Sequence, residues 1–223
     1  NGFAFNGMGC QFAICLPEKD FIFVCTGDNQ INREQAGATI FGAVFDILVP
    51  ALSGQSTQAE SFDLDQPLSL RVAHGAAASP FAAAVQGKTY LCEENPMGIT
   101  RFSLEFGEDG AACFHYWNAQ GEQRLEFGMQ RNLYGKFPQR GYSDEYGNVH
   151  ELTDFRYDCA ASAGWIEPQK LQLQVQIIDR YFGGLTITFG FVDETLVGVR
   201  MVKAAEDFLD EYEGWMTGHL SGD

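Results

Sequence analysis

Basic residues are scarce in this chain of 223 residues. Only 14 lysines and arginines accompany 30 aspartates and glutamates, so the formal net charge is −16 at pH 7. Such a charge repels the phosphates of nucleic acids and the headgroups of anionic lipids. We therefore expect a protein that binds neither nucleic acid nor a membrane surface.

The sequence also lacks the patterns of membrane-spanning, disulfide-rich and metal-binding proteins. No apolar run approaches the roughly 20 residues that cross a bilayer. The six cysteines contain no Cys-x-x-Cys pair, and the four histidines contain no His-x-His or His-x-x-x-His. The polar loop from Asp144 to Glu151 lacks the regular oxygen ligands of a calcium loop. We predict reduced cysteines in a cytoplasmic protein, with no metal ion and no cofactor.

The first segment, residues 1–52, predicts an antiparallel hairpin followed by a helix. Two continuous apolar runs, Phe12 to Leu16 and Phe21 to Cys25, are typical of strands covered on both faces. Asn32 is a suitable N-cap for a helix, and apolar residues then recur at helical spacing until Pro50. A hairpin and one helix make no stable unit alone. We therefore expect the natural protein to continue upstream and supply the missing neighbours.

The rest of the chain predicts a second domain that is rich in strands. Residues 53–86 are polar or alanine-rich and are interpreted as a linker, and residues 87–223 carry many short runs of alternating polar and apolar residues. The run Leu171, Leu173, Val175 and Ile177, with glutamines between, is the most regular. Such alternation is typical of an antiparallel meander. Because an open sheet of this size leaves exposed edges, we predict closure toward a lipocalin-like β-barrel.

A short C-terminal helix is predicted from Ala204 to Trp215. Phe208, Leu209, Tyr212 and Trp215 would then share one face of it. The predicted fold class is therefore mainly β with a minor helical part.

The order of elements in the first segment resembles the C-terminal part of the serine β-lactamase and penicillin-binding-protein superfamily, especially its esterase-like members. The matching elements are Gly7-Met8-Gly9, the strand Phe12 to Leu16, the turn Pro17-Glu18-Lys19, the strand Phe21 to Cys25 and the helix Asn32 to Val49. The resemblance implies that Gly7, Gly9 and Gln11 lie at the edge of a catalytic cleft. Residues 87 onward are similar to the β-rich accessory domain that follows the catalytic domain in some bacterial members.

The catalytic motif of that superfamily is missing. It needs a nucleophilic serine followed three residues later by lysine, because the amine helps to remove the hydroxyl proton. No serine of this chain has a lysine at that spacing. We therefore predict no catalytic residue in this chain, and an intact parent that is a serine hydrolase whose N-terminal catalytic portion is the partner of this part.

Two other functions compete with a structural part of a hydrolase. The barrel could be a small-molecule-binding module, since many aromatic residues could line a cavity. The first segment could instead be a protein-interaction module that forms a homodimer through an exposed sheet edge.

Overall fold

The structure is a computed structural model that describes residues 1–27, 29, 33–52, 69–140, 156–179, 182–204 and 212–222. Side chains of residues 139, 140 and 182 are outside this description. The chain divides into two units, Asn1–Ser69 and Leu70–Asp223. The first unit holds the expected sheet and helix, and the second holds the expected barrel.

Three antiparallel strands form the sheet of the first unit, in the order β1-β2-β3. They are β1 (Phe3–Gly7), β2 (Gln11–Leu16) and β3 (Phe21–Cys25). The predicted hairpin is β2 and β3, joined by a 3₁₀ turn that starts at Pro17, and β1 is a strand that the hairpin prediction omitted. The pattern of β1 identifies a strand poorly, because apolar Ala4 breaks the alternation of polar and apolar residues within its five positions.

The predicted helix is present as a nearly continuous run. It consists of α1 (Arg33–Gly42), a π-helical stretch (Ala43–Leu48) and α2 (Val49–Ala51). The expected N-cap, Asn32, lies outside the described residues. Pro50 lies inside α2, which ends at Ala51. The run therefore ends slightly later than Pro50 suggested.

The second unit is a closed barrel of nine strands with one further strand beside it, and it confirms the predicted β-barrel. Its elements are a short helix α3 (Ala82–Val85) and the strands β4 (Thr89–Cys92), β5 (Arg101–Phe106), β6 (Ala111–Asn118), β7 (Gly121–Met129), β8 (Leu133–Arg140), β9 (Arg156–Glu167), β10 (Lys170–Ile178), β11 (Phe182–Phe191), β12 (Leu196–Ala204) and β13 (Gly214–Leu220). The ring runs β10-β11-β12-β13-β4-β5-β6-β7-β9 and returns to β10, while β8 pairs only with β9.

The ring closes through a very short parallel pairing between β7 and β9. Gly128 lies opposite Ser162, and Met129 lies opposite Ala163. Gln130 follows with a φ of 55°, and its backbone N–H donates to the carbonyl oxygen of Ala163 at 2.9 Å. This reversal turns the chain from β7 into β8 and leaves the remaining ring contacts antiparallel.

The predicted linker 53–86 was wrong over its second half. Residues 53–68 lie outside the described part, but residues from Leu70 onward belong to the barrel unit. The backbone N–H of Ala73 donates to Oγ of Ser162 at 2.9 Å, and Val85 is fully buried in the barrel core. The alanine-rich composition suggested a linker because small residues carry no strong periodic signal, yet their size lets this segment lie close against β9.

The predicted C-terminal helix was also wrong at both ends. Ala204 ends β12, and Trp215 lies in β13, while residues 205–211 are outside the described part. Met216 is buried and Trp215 is exposed, which is the alternation of a strand. The spacing of three residues between Tyr212 and Trp215 fits one face of a helix, whereas a strand places residues three apart on opposite faces.

Substitution of Gly128 by alanine is expected to destabilise the barrel strongly. The new Cβ would overlap the carbonyl oxygen of Arg131, which is rigid backbone at the closure of the ring. We expect Gly128→Ala to lower the free energy of unfolding by about 2 kcal/mol or more, as measured by urea denaturation.

Gly135→Ala is the matched control for this substitution. Gly135 is also a strand glycine, in β8, but a Cβ there would meet no atom within 4 Å. We expect a change within about 0.5 kcal/mol. Equal losses in the two variants would contradict the importance of this closure.

Candidate functional site

The residues predicted at a cleft edge, Gly7, Gly9 and Gln11, lie together in the turn between β1 and β2. Gly7 and Gln11 are directly opposed, and Nε2 of Gln11 donates to the carbonyl oxygen of Met8 at 3.2 Å. Gly9 has a φ of 74°, a conformation that glycine adopts without steric cost. Its carbonyl oxygen accepts hydrogen bonds from the backbone N–H and from Nδ2 of Asn29, at 3.1 and 3.3 Å. The turn is fixed by these bonds, and its place at a cleft stays a prediction.

One face of the three-stranded sheet packs against the helical run. Phe12 and Ile14 of β2 are buried there with Val44 of the π-helical stretch. The ring of Phe12 meets that of Phe41 edge to face, with centroids 4.9 Å apart. This contact forms the small core of the first unit.

The opposite face of the same sheet is apolar, and no described residue of the first unit covers it. Paired residues of neighbouring strands place their side chains on the same face, so the register identifies its members. We call this the open face; its large and small apolar residues are Phe3, Phe5, Ala13, Cys15, Ile22 and Val24.

The four large side chains of the open face are highly exposed. Phe3 is 54% accessible, Phe5 66%, Ile22 70% and Val24 64%. Full burial of one such side chain is worth about 1.5–3 kcal/mol. The four together represent several kcal/mol, which is comparable to the total stability of a small domain. The open face is therefore the strongest candidate in the first unit for contact with another protein surface.

The central section of the barrel is filled by aromatic rings. The ring of Phe114 lies 4.7 Å from that of Tyr116, 5.2 Å from Phe189 and 5.7 Å from Phe102, measured between centroids. All four side chains are buried. A ligand in this section would have to displace rings from a well-packed core, which costs free energy.

Two histidines contact carboxylates on the outside of the barrel. Nε2 of His115 lies 2.7 Å from a carboxylate oxygen of Glu122, and Nε2 of His219 lies 2.9 Å from one of Glu93. His115 points away from the core, as its position between Phe114 and Tyr116 predicts. Within the described ranges, no three His, Cys, Asp or Glu side chains are grouped closely enough to hold a metal ion. The polar loop from 144 to 151 lies outside those ranges.

None of the six cysteines forms a disulfide, and burial disfavours the thiolate in three of them. Burial raises the pKa of Cys92 to about 12 and that of Cys159 to about 11. Cys113 lies in a surface pocket of about 380 Å³. Burial is the main cause of its raised pKa, and the nearby carboxylates of Glu105 and Glu126 act in the same direction. A nucleophilic cysteine needs a lowered pKa, so these thiols fit packing roles.

The stability of the barrel is expected to fall at alkaline pH. Cys159 has an ordinary pKa of 9.0 and a pKa of about 11 in the fold, so its contribution is complete below pH 9 and is lost as the pH rises to 11. The loss is at most about 1.4 kcal/mol per pH unit for this group. Urea denaturation across this range measures it.

Cys159→Val isolates the contribution of this thiol, because valine has a similar size and cannot ionise. The variant should lose less stability than the wild type between neutral and alkaline pH. Parallel pH profiles for the two proteins would show that Cys159 is not the group that titrates.

The chain matches no protein-family model and no curated protein sequence. Among the described residues, none of the helices is long and apolar enough to cross a membrane. Any function must therefore be argued from the geometry of the two units.

The sequence prediction missed the contribution of β1 to the open face. Phe3 and Phe5 alternate with Ala4 and Asn6, which is a period-two signal. It becomes readable only once the pairing of Phe5 with Ala13 places both on the same face as Val24.

Proposed function

We propose that the chain is the C-terminal part of a β-lactamase-like serine hydrolase and is not catalytic by itself. In this proposal the first unit is part of the sheet and the final helix of the catalytic domain. The barrel is its accessory domain. The intact parent would transfer an acyl group from an ester or amide to its serine and then to water.

The observation that carries the proposal is that the small sheet is apolar on both faces. An antiparallel sheet with one solvated face shows polar residues on that face. Here the open face bears Phe5, Ile22 and Val24, and the helical run also exposes Ile47 and Phe45. A sheet within a layered domain, covered on both sides, has this pattern. We propose that the catalytic portion of the same protein covers the open face.

The order of strands supports the same proposal. β1 precedes a glycine-containing turn, β2, a Pro-Glu-Lys turn, β3 and then the helix. This is the order that the superfamily resemblance implies, with β1 in the place of the strand that carries the third active-site motif. Gly7, Gly9 and Gln11 would then lie at the end of that strand, beside the cleft.

A charge introduced on the open face tests the proposal, because its effect on stability should differ between this chain and the intact parent. Ile22 is 70% exposed in this chain, so Ile22→Glu should change the free energy of unfolding of this chain by no more than about 0.5 kcal/mol. In the intact parent the same charge would be buried without a partner, and we expect a loss of about 3 kcal/mol or more and a loss of hydrolysis.

Val192→Glu is the matched control, because Val192 is 66% exposed but lies in the barrel unit. It should be tolerated in both contexts. Small effects of Ile22→Glu in the intact parent would contradict burial of the open face. A parental reading frame without Ser-x-x-Lys would contradict the hydrolase proposal. The isolated chain should not hydrolyse a chromogenic ester or cephalosporin, and turnover that survives purification would refute the non-catalytic role.

A homodimer is the second candidate, because the open face could also be covered by a second copy of the chain. Light scattering should then report a dimer for this chain, and Ile22→Glu should convert it to a monomer. A monomeric wild type would exclude this candidate and leave the hydrolase proposal as the better explanation of the open face.

A further inference from the structure

A pocket of about 350 Å³ lies at one end of the barrel, where the turn between β6 and β7 approaches the start of β9. Its lining residues are Gln120, Gln123, Pro138 and Arg156. β7 and β8 are not hydrogen-bonded to each other here. β7 pairs with β9 only at Gly128 and Met129. The pocket lies within the barrel unit and is separate from the open face, so it is independent of the hydrolase proposal.

Gln123 is a buried polar residue on the inner side of the barrel wall. It lies two residues before Leu125 and four before Phe127, both of which are core residues, and directly opposite Tyr116 of β6. Its exposed fraction is 5%. The hydroxyl of Tyr116 is already engaged with that of Tyr212, at 2.8 Å. The strand register therefore directs an amide side chain into the core at a position where alternation would place an apolar one.

Oε1 of Gln123 is buried and has no hydrogen-bond partner among the described residues. Buried polar atoms in folded proteins are nearly always hydrogen-bonded, because an unmet acceptor costs free energy. An amide at a core position beside a pocket, with an acceptor that no described residue meets, is suited to be a preformed binding group. A ligand that meets this acceptor must donate an N–H or O–H.

We propose that this pocket binds a neutral polyhydroxylated molecule of monosaccharide size, with one hydroxyl donating to Oε1 of Gln123. Arg156 in the lining contributes guanidinium N–H donors, which suit a ligand oxygen and find no acceptor on an ammonium group. The net charge of −16 disfavours the approach of an anion. A hydroxyl both donates and accepts, so it suits a lining that combines amide groups with a guanidinium group.

The size and shape of the pocket agree with such a ligand. Its volume of about 350 Å³ is near the lower end of the range for ligand pockets, roughly 300–1,000 Å³. The ring of Pro138 supplies an apolar wall against which the C–H face of a sugar ring can pack. The packed centre of the barrel keeps the ligand at this end.

The wild-type chain should respond to D-glucose, D-galactose or myo-inositol, used as separate probes. We expect at least one of them to raise the melting temperature and to shift the NMR signal of the Gln123 side-chain amide. Penta-O-methylglucose has the same ring but no hydroxyl donor, and it should cause neither change.

Gln123→Met tests the contact itself, because methionine has nearly the same shape and no acceptor of comparable strength. The variant should fold without ligand and bind the responding sugar at least about tenfold more weakly, a difference of about 1.4 kcal/mol in binding free energy. Gln174→Met is the matched control: Gln174 alternates with core residues of β10 and faces outward, so binding should be unchanged. If Gln123→Met fails to fold, Gln123→Asn, which keeps the amide but shortens its reach, should show the same weakening.

Three outcomes would overturn the proposal. The first is that none of the three probes binds the wild type, because the pocket would then hold water only. The second is that penta-O-methylglucose binds as well as glucose, because a hydroxyl donor would then not be needed for binding. The third is that Gln123→Met or Gln123→Asn binds the sugar as tightly as the wild type does, because the sugar would then not contact Gln123.

Discussion

Closure of the strand-rich sheet is the constraint on which the second unit depends. Nine strands with a continuous apolar side would present two long unpaired edges if the sheet stayed open. The ring is completed by only two residue pairs, Gly128 with Ser162 and Met129 with Ala163. Because Gly128 has no side chain, the backbone of Arg131 can lie close to it, and the chain can reverse at Gln130. Closure then lets Phe114, Tyr116 and their neighbours pack against one another in the centre.

The two units treat apolar surface in opposite ways. The barrel encloses most of its large apolar residues, and its outer side carries charged pairs such as Lys136 with Asp158, at 2.7 Å. The small sheet buries one apolar side against its helix and leaves the other exposed. This contrast between the units is the physical basis for proposing that the first unit belongs to a larger layered domain. The barrel needs no such addition for its core.

Segments with a regular sequence pattern were predicted well, whereas segments without one were predicted poorly. The alternation of Leu171, Leu173 and Val175 with glutamines predicted a strand with one buried face, and β10 has that form. The segment around Ala73 has no period and is therefore interpreted as a linker, whereas a hydrogen bond from the backbone N–H of Ala73 to Ser162 attaches it to β9. Trp215 was assigned to a helix because a spacing of three residues from Tyr212 fits a helix, but pairing with Arg200 makes it part of β13.

The sequence by itself determined the charge, the absence of Ser-x-x-Lys, the alternating strands and the continuous apolar runs of the first segment. These are local properties, and each can be read from residues close together in the chain. Only the tertiary structure decided that Phe5, Ala13 and Val24 share one open face, and that Gln123 is buried beside Tyr116 with an acceptor that no described residue meets. Both facts depend on the register between strands, which the turns and the burial of one face fix together only when the strands pair in the folded chain.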